Sequence, residues 1–258
     1  MFGYLPVSVQ VYICFLALVL GTVMGSALNC LAYRMVHDQK WSGGRSVCVH
    51  CGHTLGVLDL IPVLSFLLLK GKCRYCGEKL NKRYVLTEAF LGLCYVSLVL
   101  RFGLSFELVS ALVLCSCLFS LSLVDLDIQI IPDRFLLIPA AVRLVQLGME
   151  GRLLSGLIPA LIFGGGLLVM SLIMDKVLKK ESMGGGDIKL MAVLGLFFNV
   201  PQCLLLLILA CVSGIAIAMV LMKIKDDTPF PFGPALSLAA CVTLLVGEPI
   251  VNWYLGLF

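Results

Sequence analysis

Long apolar runs separated by short polar segments extend over most of the 258-residue chain. Eight runs predict helices that cross or enter a bilayer, for which about 20 apolar residues make a full span. The runs are continuously apolar and do not alternate, so they predict helices and not the strands of a membrane barrel. The fourth and sixth are short, which leaves six or seven spans as the alternative if short ones pair or re-enter. The predicted spans cover residues 7–31, 85–100, 105–124, 134–149, 153–174, 188–200, 202–222 and 234–255.

Charged residues are scarce and unevenly placed. They make up 13% of the chain, against roughly 25% in a soluble domain, so we expect an all-α polytopic membrane protein. With eight spans, sixteen of the nineteen Lys and Arg residues fall on one side and only Arg101, Arg143 and Arg152 on the other. Because Lys and Arg accumulate on the cytoplasmic side, the basic loop 34–84 is predicted to be cytoplasmic, with both chain ends outside.

Two cysteine pairs lie in that loop, in the segments CVHC (48–51) and CRYC (73–76). Two such pairs can surround one tetrahedral Zn²⁺ with four thiolates, and a closed site of this kind is structural. A reducing cytoplasm favours a metal over disulfides, although incidental or redox pairs remain an alternative. His50 and His53 are expected as neighbours and not as ligands. The predicted ligands are Cys48, Cys51, Cys73 and Cys76.

Two further features of the loop concern the membrane edge. The apolar segment 57–69 is too short to span, so it is predicted to lie on the cytoplasmic leaflet or dip into it. Glu88, near the start of the second span, is expected to pair with Lys82 or Arg83, with contact to a basic substrate as the alternative.

Acidic residues stand at the end of the third span, in LSLVDLDIQIIPDRF (121–135). Carboxylates at a membrane edge are costly and tend to be functional. Asp125 and Asp127 are two residues apart and therefore about 200° apart around a helix, so they cannot share one face. We expect one to face a partner group and the other to face water or support the site. Asp133, after Pro132, is expected to be a solvated loop residue.

A further carboxylate, Asp187, follows three glycines at the start of the sixth span, in MGGGDIKL (183–190). Glycines permit an irregular backbone and close approach of a substrate strand. With eight spans, Asp125 and Asp187 reach the membrane at the same depth on the same side. Two carboxyls held close share a proton, as in acid proteases. Helix capping by Asp187 and a transporter's ion site are the alternatives that these residues leave open.

The chain resembles the type IV prepilin peptidases, which are GxGD-type aspartic membrane proteases, over nearly its whole length. The cysteine loop from Arg45 to Glu88 is similar to the family's cytoplasmic domain almost segment by segment. Other similar segments are GSALNCLAYR (25–34), LVDLDIQIIPDRF (123–135), GGGDIKL (184–190) and PFPFGPALSLA (229–239). By position, the resemblance implies Asp125 and Asp187 as the catalytic pair. Gly184, Gly186 and Asp127 are expected to support the catalytic loop.

The resemblance also implies an activity and its setting. The enzyme would remove the basic leader of a prepilin or pseudopilin at the cytoplasmic face of the bacterial inner membrane. It would then methylate the new amino terminus with S-adenosylmethionine, whose binding residues the sequence does not reveal. Membrane lipid is an expected partner and nucleic acid is not. The implied domains are a first helix (1–33), a zinc domain (34–84) and a protease core (85–258).

Two other functional classes compete with this interpretation. A transporter would hold its carboxylates near the bilayer midplane, often within internal repeats, whereas these lie at one edge and no convincing repeat is visible. An assembly protein would use the cysteine domain and leave the aspartates inert. Substitution of Asp125 or Asp187 by Asn distinguishes these classes from a protease.

Overall fold

The computed structural model describes residues 4–40, 45–180, 183–222 and 231–257. The described chain is helical, with only two isolated antiparallel bridges, Val47 with Thr54 and Lys72 with Lys79. A 3₁₀ turn covers Val57–Leu60, and a π-helical segment covers Leu161–Gly165. The α-helices are α1 Val7–Val36, α2 Leu64–Leu68, α3 Lys82–Phe102, α4 Phe106–Ile128, α5 Arg134–Met149, α6 Leu153–Ala160, α7 Gly166–Leu178, α8 Gly185–Gly195, α9 Val200–Met222 and α10 Gly233–Leu255.

Six helical stretches within the described residues are long and apolar enough to cross a membrane. They are α1, α3, α4, the continuous stretch from α6 through α7, most of α9, and α10. This confirms an all-α multi-pass membrane protein. The two short predicted runs correspond to α5, with 16 residues, and α8, with 11. The run predicted at 188–200 ends earlier as a helix, at Gly195.

The first of two compact units comprises Met1–Leu108. In it, α1 and α3 pack closely because glycines face the contact. A Cβ on Gly21 would lie 2.7 Å from the Cα of Gly92, and one on Gly25 would lie 3.0 Å from the Cα of Glu88. Gly21 faces Gly92 and Gly25 faces Glu88, so residue numbers fall along α3 as they rise along α1. The two helices are therefore antiparallel. Such small-xxx-small faces let membrane helices approach each other. The predicted boundary at 84–85 falls inside α3, and the division by function remains a prediction.

The second unit comprises Val109–Phe258, and α4 supplies much of its core. Along α4, Leu114, Leu121 and Val124 are fully buried. The short helix α8 packs on the stretch from α6 to α7 through small residues. A Cβ on Gly195 would lie 2.5 Å from the Cα of Ala160, so a larger residue there would push the helices apart.

Helices α5 and α8 run side by side in the same direction. Near their starts, Lys189 Nζ lies 2.8 Å from Asp133 Oδ1. Near their ends, the Arg143 Nε–H donates to the Leu196 carbonyl at 3.2 Å. At 1.5 Å per residue, α8 is only about 16 Å long, shorter than the roughly 30 Å hydrocarbon core. Both helices nevertheless lead from the end of the unit that holds Asp125 and Asp187 towards its opposite end.

Segment 57–69 forms the 3₁₀ turn and α2, with no helix long enough to span. Its side chains at Leu64, Leu67 and Leu68 are exposed. An exposed apolar face of this kind fits the predicted position on the leaflet. The Oε2 atom of Glu88 accepts a hydrogen bond from the Val63 N–H at 3.0 Å, because the 57–69 segment folds back onto the start of α3. The pairing of Glu88 with Lys82 or Arg83 stays a prediction.

Candidate active site and metal centre

Asp125 lies in the last turn of α4 and is only 4% exposed. The backbone N–H of Gly233, at the start of α10, donates to its Oδ2 at 3.1 Å. A Cβ on Gly233 would lie 2.6 Å from that same oxygen. The carboxylate is therefore held by a backbone group at a position where only glycine fits. Asp127 is exposed, as the helical geometry predicts for a residue on another face.

Asp187 is the third residue of α8, and Gly184 occupies the N-cap position. The capping interpretation is therefore wrong, because the helix begins two residues earlier. The Oδ1 atom of Asp187 is buried and, within the described chain, has no hydrogen-bond partner. Burial, and after it the negative charge of Asp125, raises the pKa of the Asp187 carboxyl. The two carboxyls are thus close enough to interact, which is the arrangement that lets a pair share one proton.

The segment before Asp187 fits against the loop that follows α4. A Cβ on Gly186 would lie 2.8 Å from the Cβ of Ile131, so glycine permits this close contact. Gly184 is exposed, and nothing lies within 4 Å of a Cβ placed on Gly185. Asp133 is exposed, as predicted, and forms its ion pair with Lys189. Gly186 therefore makes a tight contact with Ile131, whereas Gly185 borders open space.

Gly233 is the residue of this site to which the sequence assigned no role. Its segment, PFPFGPALSLA, carries a Gly–Pro pair at a helix start, which indicates a helix boundary but not what the boundary contacts. The contact joins residues 108 positions apart in the chain. It depends on how α10 packs against α4, and no local pattern encodes that packing.

The four loop cysteines form a cluster in the first unit. Each offers a sulfur within 4.8 Å of the others, a grouping that could hold a metal ion, and the Sγ atoms of Cys48 and Cys76 are 4.0 Å apart. A tetrahedral ion with Zn–S bonds of about 2.3 Å places its sulfurs roughly 3.8 Å apart. The donor set and its spacing therefore fit Zn²⁺ closely.

Each cysteine pair is folded into the same turn. The Gly52 N–H donates to the Cys48 carbonyl at 2.9 Å, and the Gly77 N–H donates to the Cys73 carbonyl at 3.0 Å. Both glycines have a positive φ, of 70° and 73°, which glycine adopts readily. A backbone hydrogen bond from Cys51 lowers the pKa of the Cys48 thiol to about 6. At Cys76 a backbone hydrogen bond from Glu78 lowers the thiol pKa, but burial and hydrogen bonds with the other three cysteines raise it further, to about 12.

The neighbouring histidines stay outside the cluster. The ring of His53 lies 3.7 Å from that of Tyr75, centroid to centroid, and the His50 side chain is exposed. Among the described residues, the candidate metal-binding group consists of the four cysteines alone. Neither histidine is needed to complete a tetrahedral set.

Comparison with known sequences gives a consistent result. The chain matches the Bacterial Peptidase A24 N-terminal domain over residues 19–102 and the Type IV leader peptidase family over residues 112–219. A protein named prepilin leader peptidase/N-methyltransferase from Stutzerimonas stutzeri is 32% identical, covering 93% of this chain and 92% of its own. Its namesake from Aeromonas hydrophila is 35% identical over 83% and 76% of the two chains. The one from Bacillus subtilis (strain 168) is 30% identical over 92% and 96%. No solved structure matches the chain. With both of its units matched by these models, and relatives aligned over most of its length, the chain belongs to the type IV leader peptidase family.

Proposed function

We propose that this protein is a membrane aspartic endopeptidase that removes the basic leader of type IV prepilins and pseudopilins. The observation that carries the proposal is the pair of interacting carboxyls, Asp125 and Asp187, at one end of the second unit. The names of the relatives support the same substrate class. Basic residues that lie close to the pair in the sequence, Arg134, Lys179 and Lys189 among them, favour a cytoplasmic position for this end, at the bacterial inner membrane. Membrane lipid and the prepilin are the proposed partners, and nucleic acid is not among them.

In the proposed reaction, Asp125 and Asp187 lie on either side of the scissile peptide. The ionised carboxylate takes a proton from a water molecule as the water oxygen attacks the peptide carbonyl carbon. The protonated carboxyl donates its proton to the leaving nitrogen as the carbon–nitrogen bond breaks. The pair ends with one proton, as it began, and the two residues can exchange roles between cycles.

The neighbouring backbone has a part in this reaction. The Gly233 N–H fixes the orientation of Asp125 through its bond to Oδ2. The open space beside Gly185 leaves room for an extended substrate strand to approach the pair. Gly184 and Gly186 flank this opening, and no side chain from either one narrows it.

The four cysteines would hold a structural Zn²⁺. Four thiolates complete a tetrahedral site and leave no open position for a water or substrate. The ion would join the two turns around Cys48 and Cys73, which are 25 residues apart in a loop without regular sheet. It would thereby fix the shape of the cytoplasmic part of the first unit.

A second activity, methylation of the new amino terminus, follows from the full names of the relatives. S-adenosylmethionine, when bound, would supply an electrophilic methyl group to the new amino nitrogen and leave as S-adenosylhomocysteine. The transporter interpretation has no support from the relatives and is set aside.

The test uses the purified protein in detergent with a prepilin and reads the product by mass spectrometry. We expect loss of the leader, and a further gain of one methyl group when S-adenosylmethionine is added. The family resemblance implies cleavage after a glycine of the prepilin, so a prepilin with that glycine replaced by Val is the matched control and should stay intact. An intact native prepilin after incubation with folded enzyme would refute the proposal.

A further inference from the structure

A charged side chain, that of Arg143, lies in the interior of α5, which begins at Arg134. At a rise of 1.5 Å per residue, Arg143 is about 13 Å along the helix axis from that start. This depth is well inside the roughly 30 Å hydrocarbon core that the apolar run is predicted to enter. Charged residues at such a depth are costly and tend to have a function. Neither the carboxyl pair nor the cysteine cluster includes Arg143.

The guanidinium group of Arg143 holds the distal end of α8, the end away from Asp187. The last turn of a helix leaves carbonyl groups without a partner inside the helix. The Arg143 Nε–H donates to one of them, the carbonyl of the C-cap residue Leu196, at 3.2 Å. The Arg143 Cζ also lies 5.5 Å from the centroid of the Phe197 ring, within the range of a cation–π contact. One side chain of α5 thus makes two contacts with this end of α8.

A buried glutamine fixes the direction of the guanidinium group. Gln146 is 0% exposed and lies one turn further along α5. The Arg143 Nη1–H donates to Gln146 Oε1 at 2.9 Å, and the Gln146 Nε2–H donates to Glu150 Oε1 at 2.9 Å. Glu150 is the C-cap residue of α5. Because both ends of the buried amide have a partner, the network is rigid, and the planar guanidinium is held in one orientation.

The two ends of α8 are held unequally. At the distal end, a Cβ on Gly156 of α6 would lie 3.1 Å from the Leu196 carbonyl oxygen, so a tight contact accompanies the hydrogen bond. At the start, Gly186 contacts a single side chain, that of Ile131, and Gly185 borders open space. The ion pair at the start is exposed, and exposed pairs contribute little. The position of α8 is therefore set mainly from its distal end.

The distal end and the carboxyl pair are joined by one short helix. Asp187 lies nine residues before Leu196, about 13 Å along the helix axis. Because so short a helix moves as a rigid unit, the carbonyl that Arg143 holds also determines where Asp187 faces Asp125. We propose that Arg143, oriented by Gln146, is a positioning residue for cleavage, which rests on the peptidase function proposed above. Arg143 acts through α8 and not by contact with the carboxyl pair.

The test measures kcat and KM for prepilin cleavage by the full-length protein in detergent, with the product read by mass spectrometry. Arg143→Met removes the hydrogen-bond donors and keeps an unbranched side chain. Gln146→Met removes the acceptor that orients Arg143, at similar volume. We expect kcat to fall by about 10- to 100-fold in both, because a misplacement of about 1 Å can cost 100-fold. KM should stay within about twofold, as it does when an interaction made only in the transition state is lost.

Arg152→Met and Val145→Met are the matched controls. Arg152 carries the same charge near the same end of α5, but its side chain is 66% exposed. Val145 is the exposed neighbour of Gln146 on α5. Both variants should cleave with the kcat and KM of the wild type.

The pH dependence of kcat separates positioning from a loss of stability. Among the described residues, the charge that acts on Asp187 is that of Asp125, while Lys189 of the same helix is paired with Asp133 on the exposed side. When two carboxyls move apart, their coupling weakens, and the pH range in which one is ionised and the other protonated becomes narrower. The pH range of cleavage should therefore narrow from both sides in the two network variants. A lower folded fraction would instead reduce kcat by one factor at every pH.

The melting midpoint shows whether each variant is folded at the assay temperature, and Gln146→Met decides if Arg143→Met does not fold. Folded variants with the kcat of the wild type would overturn the inference. A lower kcat with a pH range of unchanged width would do so too, since the network would then support stability alone. A raised KM with unchanged kcat would assign the network to substrate binding and also overturn it. A wild type that leaves prepilin intact would instead refute the peptidase function itself.

Discussion

Gly233 holds Asp125 through a backbone hydrogen bond and leaves no room for a side chain beside the carboxylate. We predict that Gly233→Ala lowers the rate of leader cleavage by about 10- to 100-fold, since a hydrogen bond to a charged group is worth about 1.5–3 kcal/mol. Cleavage rate is measured by mass spectrometry under saturating prepilin.

Gly166→Ala is the matched control for this substitution. Nothing lies within 4 Å of a Cβ at that position, and Gly166 is the first residue of α7. Alanine there should leave the rate close to wild type. Equal rates for Gly233→Ala and wild type would show that the contact with Asp125 has no part in cleavage.

Helical geometry alone predicted different environments for the two neighbouring carboxylates. The two-residue offset between Asp125 and Asp127 predicts different faces, and the structure buries the first and exposes the second. The catalytic role of Asp125 and Asp187 stays a prediction. The part of Gly233 could not be foreseen, because a backbone N–H leaves no signature in the identity of its own side chain.

Among the elements, α1 and α3 depend on their glycine contact. Gly21→Ala should lower the melting midpoint by several degrees, because overpacking of a tight contact costs about 1–3 kcal/mol. The Cβ would meet the Cα of Gly92 at 2.7 Å. Val23→Ala, at a position 48% exposed on the same helix, should change the midpoint little. A Gly21→Ala protein as heat-stable as the wild type would mean that the helices separate without cost.

The zinc site predicted at the two cysteine turns, residues 48–51 and 73–76, can be tested through its metal content. We predict one zinc ion per chain by elemental analysis, and its loss in Cys73→Ser together with a lower melting midpoint. Removing a thiolate leaves three ligands and opens a site that is closed in the native arrangement. Cys211→Ser is the control, because Cys211 lies exposed on α9. Unchanged zinc in Cys73→Ser, or none in the wild type, would contradict the prediction.

Over the whole molecule, continuous apolar runs were enough to predict the helical class and most helix positions. The run predicted at 134–149 coincides with α5. Two other helices extend beyond the predicted spans. Helix α4 continues to Ile128, so Asp125 lies within a helix. Helix α3 starts earlier than predicted because the Asn81 side chain accepts a hydrogen bond from the Arg83 N–H. The cavity lined by residues between Ser26 and Glu88 had no sequence signal, since its walls come from elements up to 62 positions apart in the chain.

The central claim is that Asp125 and Asp187 cleave the prepilin, and single Asn substitutions test it most directly. Asp125→Asn and Asp187→Asn should each lower the cleavage rate by at least about 10⁴-fold, as loss of a catalytic residue commonly does, with the melting midpoint retained. Asp133→Asn should cleave normally, because its exposed pair with Lys189 is worth no more than about 1 kcal/mol. Normal cleavage by Asp125→Asn or Asp187→Asn would contradict the account, and loss of cleavage in Asp127→Asn instead of Asp125→Asn would move the catalytic role to Asp127.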